Sequence, residues 1–151
     1  MRRGTMGKIE KFPELNKLDR IAGKWVCSAG SDKTMEILKS ACDGFCYLVD
    51  IESDTARGLL RGHGMVFFDD AIKKFRLEWY DNFANHITGE GNFTDDDTFI
   101  MIEKSNINGT PHIERHTEKL APGGSKKTLT VENFINGEFE KISEECFDLL
   151  I

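Results

Sequence analysis

The chain has 151 residues, a formal net charge of -6, and acids and bases mixed along its length. That length suits one domain able to bury a core without disulfides or metals, and the charge argues against nucleic acid or an anionic membrane as partner. No run of about 18 apolar residues exists and the basic start MRRGTMGKIEKFPEL has no apolar stretch behind it, so the expectation is a soluble, unsecreted, cytoplasmic protein.

Residues 1–8 are small and polar and read as a mobile N-terminal segment, leaving 9–151 as the folded domain. FPELNKLDRIAG places Pro13 near a helix start, Leu15, Leu18 and Ile21 at three-residue spacing, and Gly23 as a stop, which predicts one short helix. Beyond it the pattern turns to strands, predicted at 23–30, 34–42, 45–52, 60–68, 74–81, 86–93, 98–105, 112–119, 127–135 and 138–148. Turn chemistry separates them at Asp43-Gly44, Asp69-Asp70, Asn82 to Asn85, Asp95 to Asp97, Asn108-Gly109, Gly123-Gly124 and Asn136-Gly137. A meander this long exposes edges unless it closes on itself. The expected fold is therefore all-β: a single antiparallel up-and-down β-barrel of about 8–10 strands behind a short helix, its interior filled or holding one small ligand.

Four cysteines in an unsecreted chain are expected to stay reduced. In KSACDGFCYL, Cys42 and Cys46 have the look of a redox pair. A two-residue hairpin centred on Asp43-Gly44 instead sets Cys42 opposite Phe45 and Ala41 opposite Cys46. Neighbouring pairs then point to opposite faces, and the thiols diverge.

The order of features carries a resemblance. Gly23-Lys24-Trp25 on the first strand behind a helix resembles the Gly-x-Trp start of calycin, or lipocalin-like, barrels. GHGMVFFDDAIKKFRLEWYDN followed by HITGEGNF resembles a bacterial calycin-like family of unknown function, DUF1579. The likeness spans most of residues 18–148 and implies a closed barrel around a cavity sized for a small molecule; it supplies no reaction. Calycins often pair the first-strand Trp with an Arg on the last strand. The last arginine here is Arg115, so either Lys141 replaces it or the closing contact is absent.

A four-residue loop over Asn82 to Asn85 pairs Asp81 with His86 and Trp79 with Thr88. A bulge near Gly89 or Gly91 then exchanges the faces, turning Phe75, Leu77, Trp79 and Asp81 inward before it and Phe93, Ile100, Ile102, Ile113 and Arg115 inward after it. The cavity so drawn is mostly apolar, with Trp25 at its floor, Trp79, Asp81 and Arg115 inside, and His86 and Glu90 near its rim. Without the bulge, Glu103 and Glu114 pair directly between His112 and His116, an acid–base or metal cluster. His112 and His116 themselves, four apart on a strand, lie about 13 Å apart and share no ion.

No residue is assigned a catalytic role, and no metal or cofactor is expected. The leading expectation is a small hydrophobic or amphipathic ligand held in the cavity by Trp25, Trp79, Asp81, His86, Glu90 and Arg115. The alternatives are an enzyme using cavity carboxylate and His groups, and a filled structural barrel that forms a homodimer.

Overall fold

A computed structural model describes residues 9–29 and 32–150. The ends expected to be mobile, residues 1–8, lie outside them. One short helix, α1 (Leu15–Leu18), precedes ten strands: β1 Gly23–Ala29, β2 Asp32–Ala41, β3 Cys46–Thr55, β4 Gly58–Asp69, β5 Lys74–Asp81, β6 His86–Phe93, β7 Thr98–Ile107, β8 Thr110–Leu120, β9 Lys126–Ile135 and β10 Glu138–Leu150. Every strand pairs antiparallel with its neighbours in sequence, and β1 pairs with β10, so the sheet is a closed barrel. Closure satisfies both edges, which an open ten-stranded meander could not do. No helix among the described residues is long and apolar enough to cross a membrane.

The turns follow their local chemistry. Asn108-Gly109 and Asn136-Gly137 hold positive φ at both positions, 50° and 78° in the first pair and 52° and 82° in the second, the left-handed geometry that a tight hairpin needs. The turn at Cys42 differs from expectation. Ala41 does pair with Cys46, but Cys42, Asp43 and Gly44 all have positive φ and wind into a single 3₁₀ turn. That winding leaves the Cys42 side chain near enough to Cys46 to influence its ionisation, and both thiols are free.

One end of the barrel is plugged. Leu15, Leu18 and Ile21 are buried against Trp25, Tyr47, Phe68, Phe75, Phe99, Leu120 and Phe147. The Trp25 Nε1–H donates to the Ile21 carbonyl at 3.0 Å, and the Tyr47 hydroxyl bonds the Asp19 carboxylate. The plug is thus pinned by two polar contacts as well as by apolar burial, each aromatic spending its single polar group on the plug.

The register of β5 to β8 corrects the sequence expectation. Tyr80 pairs with His86 and Trp79 with Ile87, one residue away from the expected alignment. Asp81 is the reason. Its carboxylate accepts the backbone N–H groups of Phe83 at 2.9 Å and Asn85 at 3.1 Å, which widens the loop to five residues with Ala84 at φ 61°. The added residue turns Ile87, Gly89 and Gly91 of β6 inward without any bulge, and pairing runs unbroken through Gly89 and Gly91; the next turn is also one residue longer than expected, setting Phe93 opposite Phe99 and facing Phe99, Met101 and Glu103 inward. The bulge lies instead in β10, between Lys141 and Ser143.

The inner-face glycines make room. A Cβ on Gly62 would lie 1.8 Å from Cζ2 of Trp79, and one on Gly89 would lie 2.8 Å from the Met101 sulfur. Glycine in these strands marks close approach of a large side chain across the barrel wall.

Candidate functional site

Above the plug lies a cavity of about 350 Å³. Leu38, Val49, Ile51, Leu60, Val66, Leu77, Trp79, Ile87, Phe99 and Met101 give it an apolar wall from β2 to β7. Glu36, Glu103, His116 and Glu118 form a charged wall where β7, β8 and β2 face one another, and Asp81 and Asn85 lie towards the end away from the plug. A second cavity of about 140 Å³ shares Asn85, Ile87 and Glu103 with the first and adds Ser105, Ile107, His112 and Glu114.

Two charge clusters organise the polar wall. In the first, Lys127 from β9 reaches Glu36 at 2.5 Å and Glu118 at 2.7 Å, with a side chain only 1% exposed. Its ammonium also lies 4.9 Å from the Trp25 ring centre and 5.4 Å from that of Phe147. Burial alone would lower the pKa of Lys127, but the Glu118 and Glu36 carboxylates outweigh it and hold the ammonium charged. Burial raises Glu36 against the opposing pull of Lys127. The cation over the first-strand Trp is therefore Lys127, on the penultimate strand. Lys141, one of the two alternatives left open by the sequence, pairs outside with Glu144.

The second cluster follows the unbulged register, with Glu103 directly opposite Glu114 and Met101 opposite His116. His116 Nε2 lies 2.7 Å from Glu114 Oε2 and 3.2 Å from Glu103 Oε2, while His112 Nε2 lies 3.0 Å from Glu114 Oε1. The two histidines thus flank one carboxylate, one on each oxygen. Hydrogen bonding from His116 lowers the Glu114 pKa despite burial, helped by His112. Burial works against the charged form of His116, yet the hydrogen bond to Glu114 and the charge of Glu103 raise its pKa overall. Burial raises Glu103, with His116 opposing. One donor atom from each of Glu103, Glu114 and His116 falls within 4.8 Å of the others, so these three are also the residues that could grip a divalent cation.

The sequence-predicted residues divide between the two faces. Trp25 lies buried at the floor against Lys127, and Trp79 and Asp81 line the cavity. Trp79 Nε1–H donates to Asp81 Oδ2 at 3.1 Å, and Asn85 Nδ2 donates to the same oxygen at 3.0 Å. Burial is outweighed by these donors, so Asp81 stays below the ordinary carboxylate range. His86 and Glu90 stand outside because the widened loop shifts the register of β6, and Arg115 stands outside because β6 meets β7 with Phe93 opposite Phe99. His86 stacks on Tyr80 and bonds Glu78 at 2.9 Å; Glu90 faces Lys74 at 3.8 Å. Arg115 makes a two-pronged contact with Glu132, at 3.0 and 2.7 Å, and covers the Phe139 ring. Ile100, Ile102 and Ile113 share that outer face.

Glu36, Glu118 and Lys127 escaped the sequence reading. Alternation alone puts Glu118 on the face of Glu114 and His116, but nothing local in the sequence brings Lys127 and Glu36, 91 positions apart, to one point. Compared with known proteins, the chain matches no family model and no curated sequence.

Proposed function

We propose that this chain is a calycin-like binding module that takes one small apolar or amphipathic molecule into its barrel. The observation that carries this reading is the cavity of about 350 Å³, a volume within the range of small-ligand sites, apolar along one wall and charged along the other. The Gly23-Lys24-Trp25 start behind a plugging helix supports the calycin assignment, and the ordered motifs of β4 to β6 support a likeness to DUF1579. Four free thiols suit a reducing compartment such as the cytoplasm.

A second reading, an acid–base enzyme on the same scaffold, is favoured by one observation. His116 lies 2.7 Å from Glu114 and 3.2 Å from Glu103 inside the barrel, a grouping of titratable side chains suited to proton transfer with a bound molecule. Glu103, whose pKa burial raises, is the acid in that scheme, and Glu114 holds His116.

Native mass spectrometry of freshly purified protein, with thermal shifts across a panel of lipids and metabolites, tests both readings. A copurified molecule released unchanged supports the binding module. Its conversion by the wild type and not by His116→Gln supports the enzyme. A protein with no copurified mass and no thermal shift across the panel overturns both.

A further inference from the structure

We infer that the ligand of this cavity is an amphipathic amine, its apolar body against Trp79, Phe99 and Met101 and its ammonium on the Glu103 carboxylate. The inference rests on the binding-module reading and names the ligand class.

The first argument is the supply of charge. The cavity is lined by the carboxyl groups of Glu36, Asp81, Glu103 and Glu118, and by His116 as its one lining residue of basic character. Lys127 is close by but 1% exposed, held by Glu36 and Glu118, and offers nothing to a ligand. Arg115 is turned outward onto Glu132. A carboxylate ligand would meet repulsion from most of this wall, whereas an ammonium would meet attraction from it.

The second argument is the supply of donors. Asp81 takes four hydrogen bonds, from Trp79, Phe83 and both nitrogens of Asn85. Glu36 and Glu118 share the Lys127 ammonium. Glu114 takes both histidines. Glu103 has none of these. Its neighbour within the described residues is His116 Nε2, whose single N–H points to Glu114 at 2.7 Å and leaves only a 3.2 Å ionic approach to Glu103. A side chain 15% exposed on the cavity wall thereby presents a carboxyl group to which no described residue donates a hydrogen bond, an acceptor open to a ligand's donor.

The third argument is position. Glu103 is shared by the two cavities and sits on the strand that also carries Phe99 and Met101 on the same face, at two-residue spacing. A ligand lying along the apolar wall therefore ends at Glu103. A primary ammonium, charged at neutral pH like that of lysine, brings three donors and a full charge to that point.

Isothermal titration of the full chain at pH 7 with 4-phenylbutylamine, 4-phenylbutanol and 4-phenylbutyrate tests the inference. These share an apolar body and differ in the polar end. The expected result is binding of the amine about tenfold or more tighter than the alcohol, with the acid weakest, a ratio typical of one well-placed charged contact. Glu103→Gln should bring the amine down to the alcohol's affinity and leave the alcohol unchanged, whereas Glu78→Gln on the outer face should change neither. If the alcohol or acid binds as tightly as the amine, the inference falls and the cavity reading stands. If the amine keeps its advantage in Glu103→Gln, Glu103 is not its anchor and the inference also falls. If none of the three binds, the inference falls, and the copurified mass and thermal-shift panel decide whether the cavity reading falls with it. Should Glu103→Gln fail to fold, the order of the three ligands on the wild type decides alone.

Discussion

Lys127 places its ammonium 4.9 Å from the centre of the Trp25 ring while bonding Glu36 and Glu118 on either side. The penultimate strand thereby supplies the cation that meets the first-strand tryptophan, and β8, β9, β1 and β2 are tied together at one buried point. The position is a junction between the plug, whose Ile21 carbonyl holds Trp25, and the charged wall of the cavity.

Lys127→Met should be strongly destabilising, by roughly 3–5 kcal/mol, because it strands two buried carboxylates without their cation. Adding Glu36→Gln and Glu118→Gln to it should recover a large part of that loss. Urea unfolding of the single and triple variants measures both, and a triple variant less stable than the single one would show that the carboxylates are not the source of the cost.

Gly62→Ala should cost about 1–3 kcal/mol by overpacking, since the new methyl would fall inside the Trp79 ring, 1.8 Å from Cζ2. Trp79 must tilt to escape. A changed tryptophan emission spectrum in the folded variant, with Trp25 unaffected at the opposite end of the wall, is the accompanying signature. Gly58→Ala serves as comparison: it meets no neighbour within 4 Å, and its cost comes from its φ of 109° alone.

His116 makes stability depend on pH. Its folded pKa is raised above 6.5, so its contribution is complete below that value and is lost as pH rises through the folded value. The groups facing it are Glu114 and Glu118 on its own strand and Glu103 across the ladder. Glu103, raised by burial from 4.5, adds a loss in the same direction that begins lower. Denaturant midpoints should therefore fall from pH 6 to pH 8.5, and fall less in His116→Gln. Equal slopes in the two proteins would place the pH dependence elsewhere.

The cysteines should react in a fixed order. Cys42 and Cys146 are exposed, whereas Cys27 and Cys46 are buried. Burial first, and the neighbouring Cys42 thiol second, push the Cys46 thiol up to about 11, leaving almost no thiolate at neutral pH. Burial raises Cys27 as well, with the charge of Glu145 adding to it. Alkylation of the native protein followed by peptide mapping should label Cys42 and Cys146 well before Cys27 and Cys46. Early labelling of Cys46 would mean that the turn at Cys42–Gly44 opens readily.

The sequence by itself determined the parts list of this protein: one short helix, ten strands and the turns between them, because each strand alternates with period two and each turn carries its own Asn, Asp or Gly chemistry. Closure followed from the cost of leaving edges unpaired. What only the tertiary structure decided was which face points inward after β5. Asp81 widened one loop by a single residue through two backbone hydrogen bonds, which sent His86 and Glu90 outside; a second added residue, in the turn that pairs Phe93 with Phe99, then kept Glu103, Glu114 and His116 inside and left Arg115 outside. TGEGNF looked like a bulge because glycine weakens a strand; here its glycines stand across from Leu77 and Met101, whose bulk they accommodate. Lys127 belongs to the same lesson. Its partners come from β2 and β8, and a charge pair assembled across the barrel leaves no local trace in the residues around it.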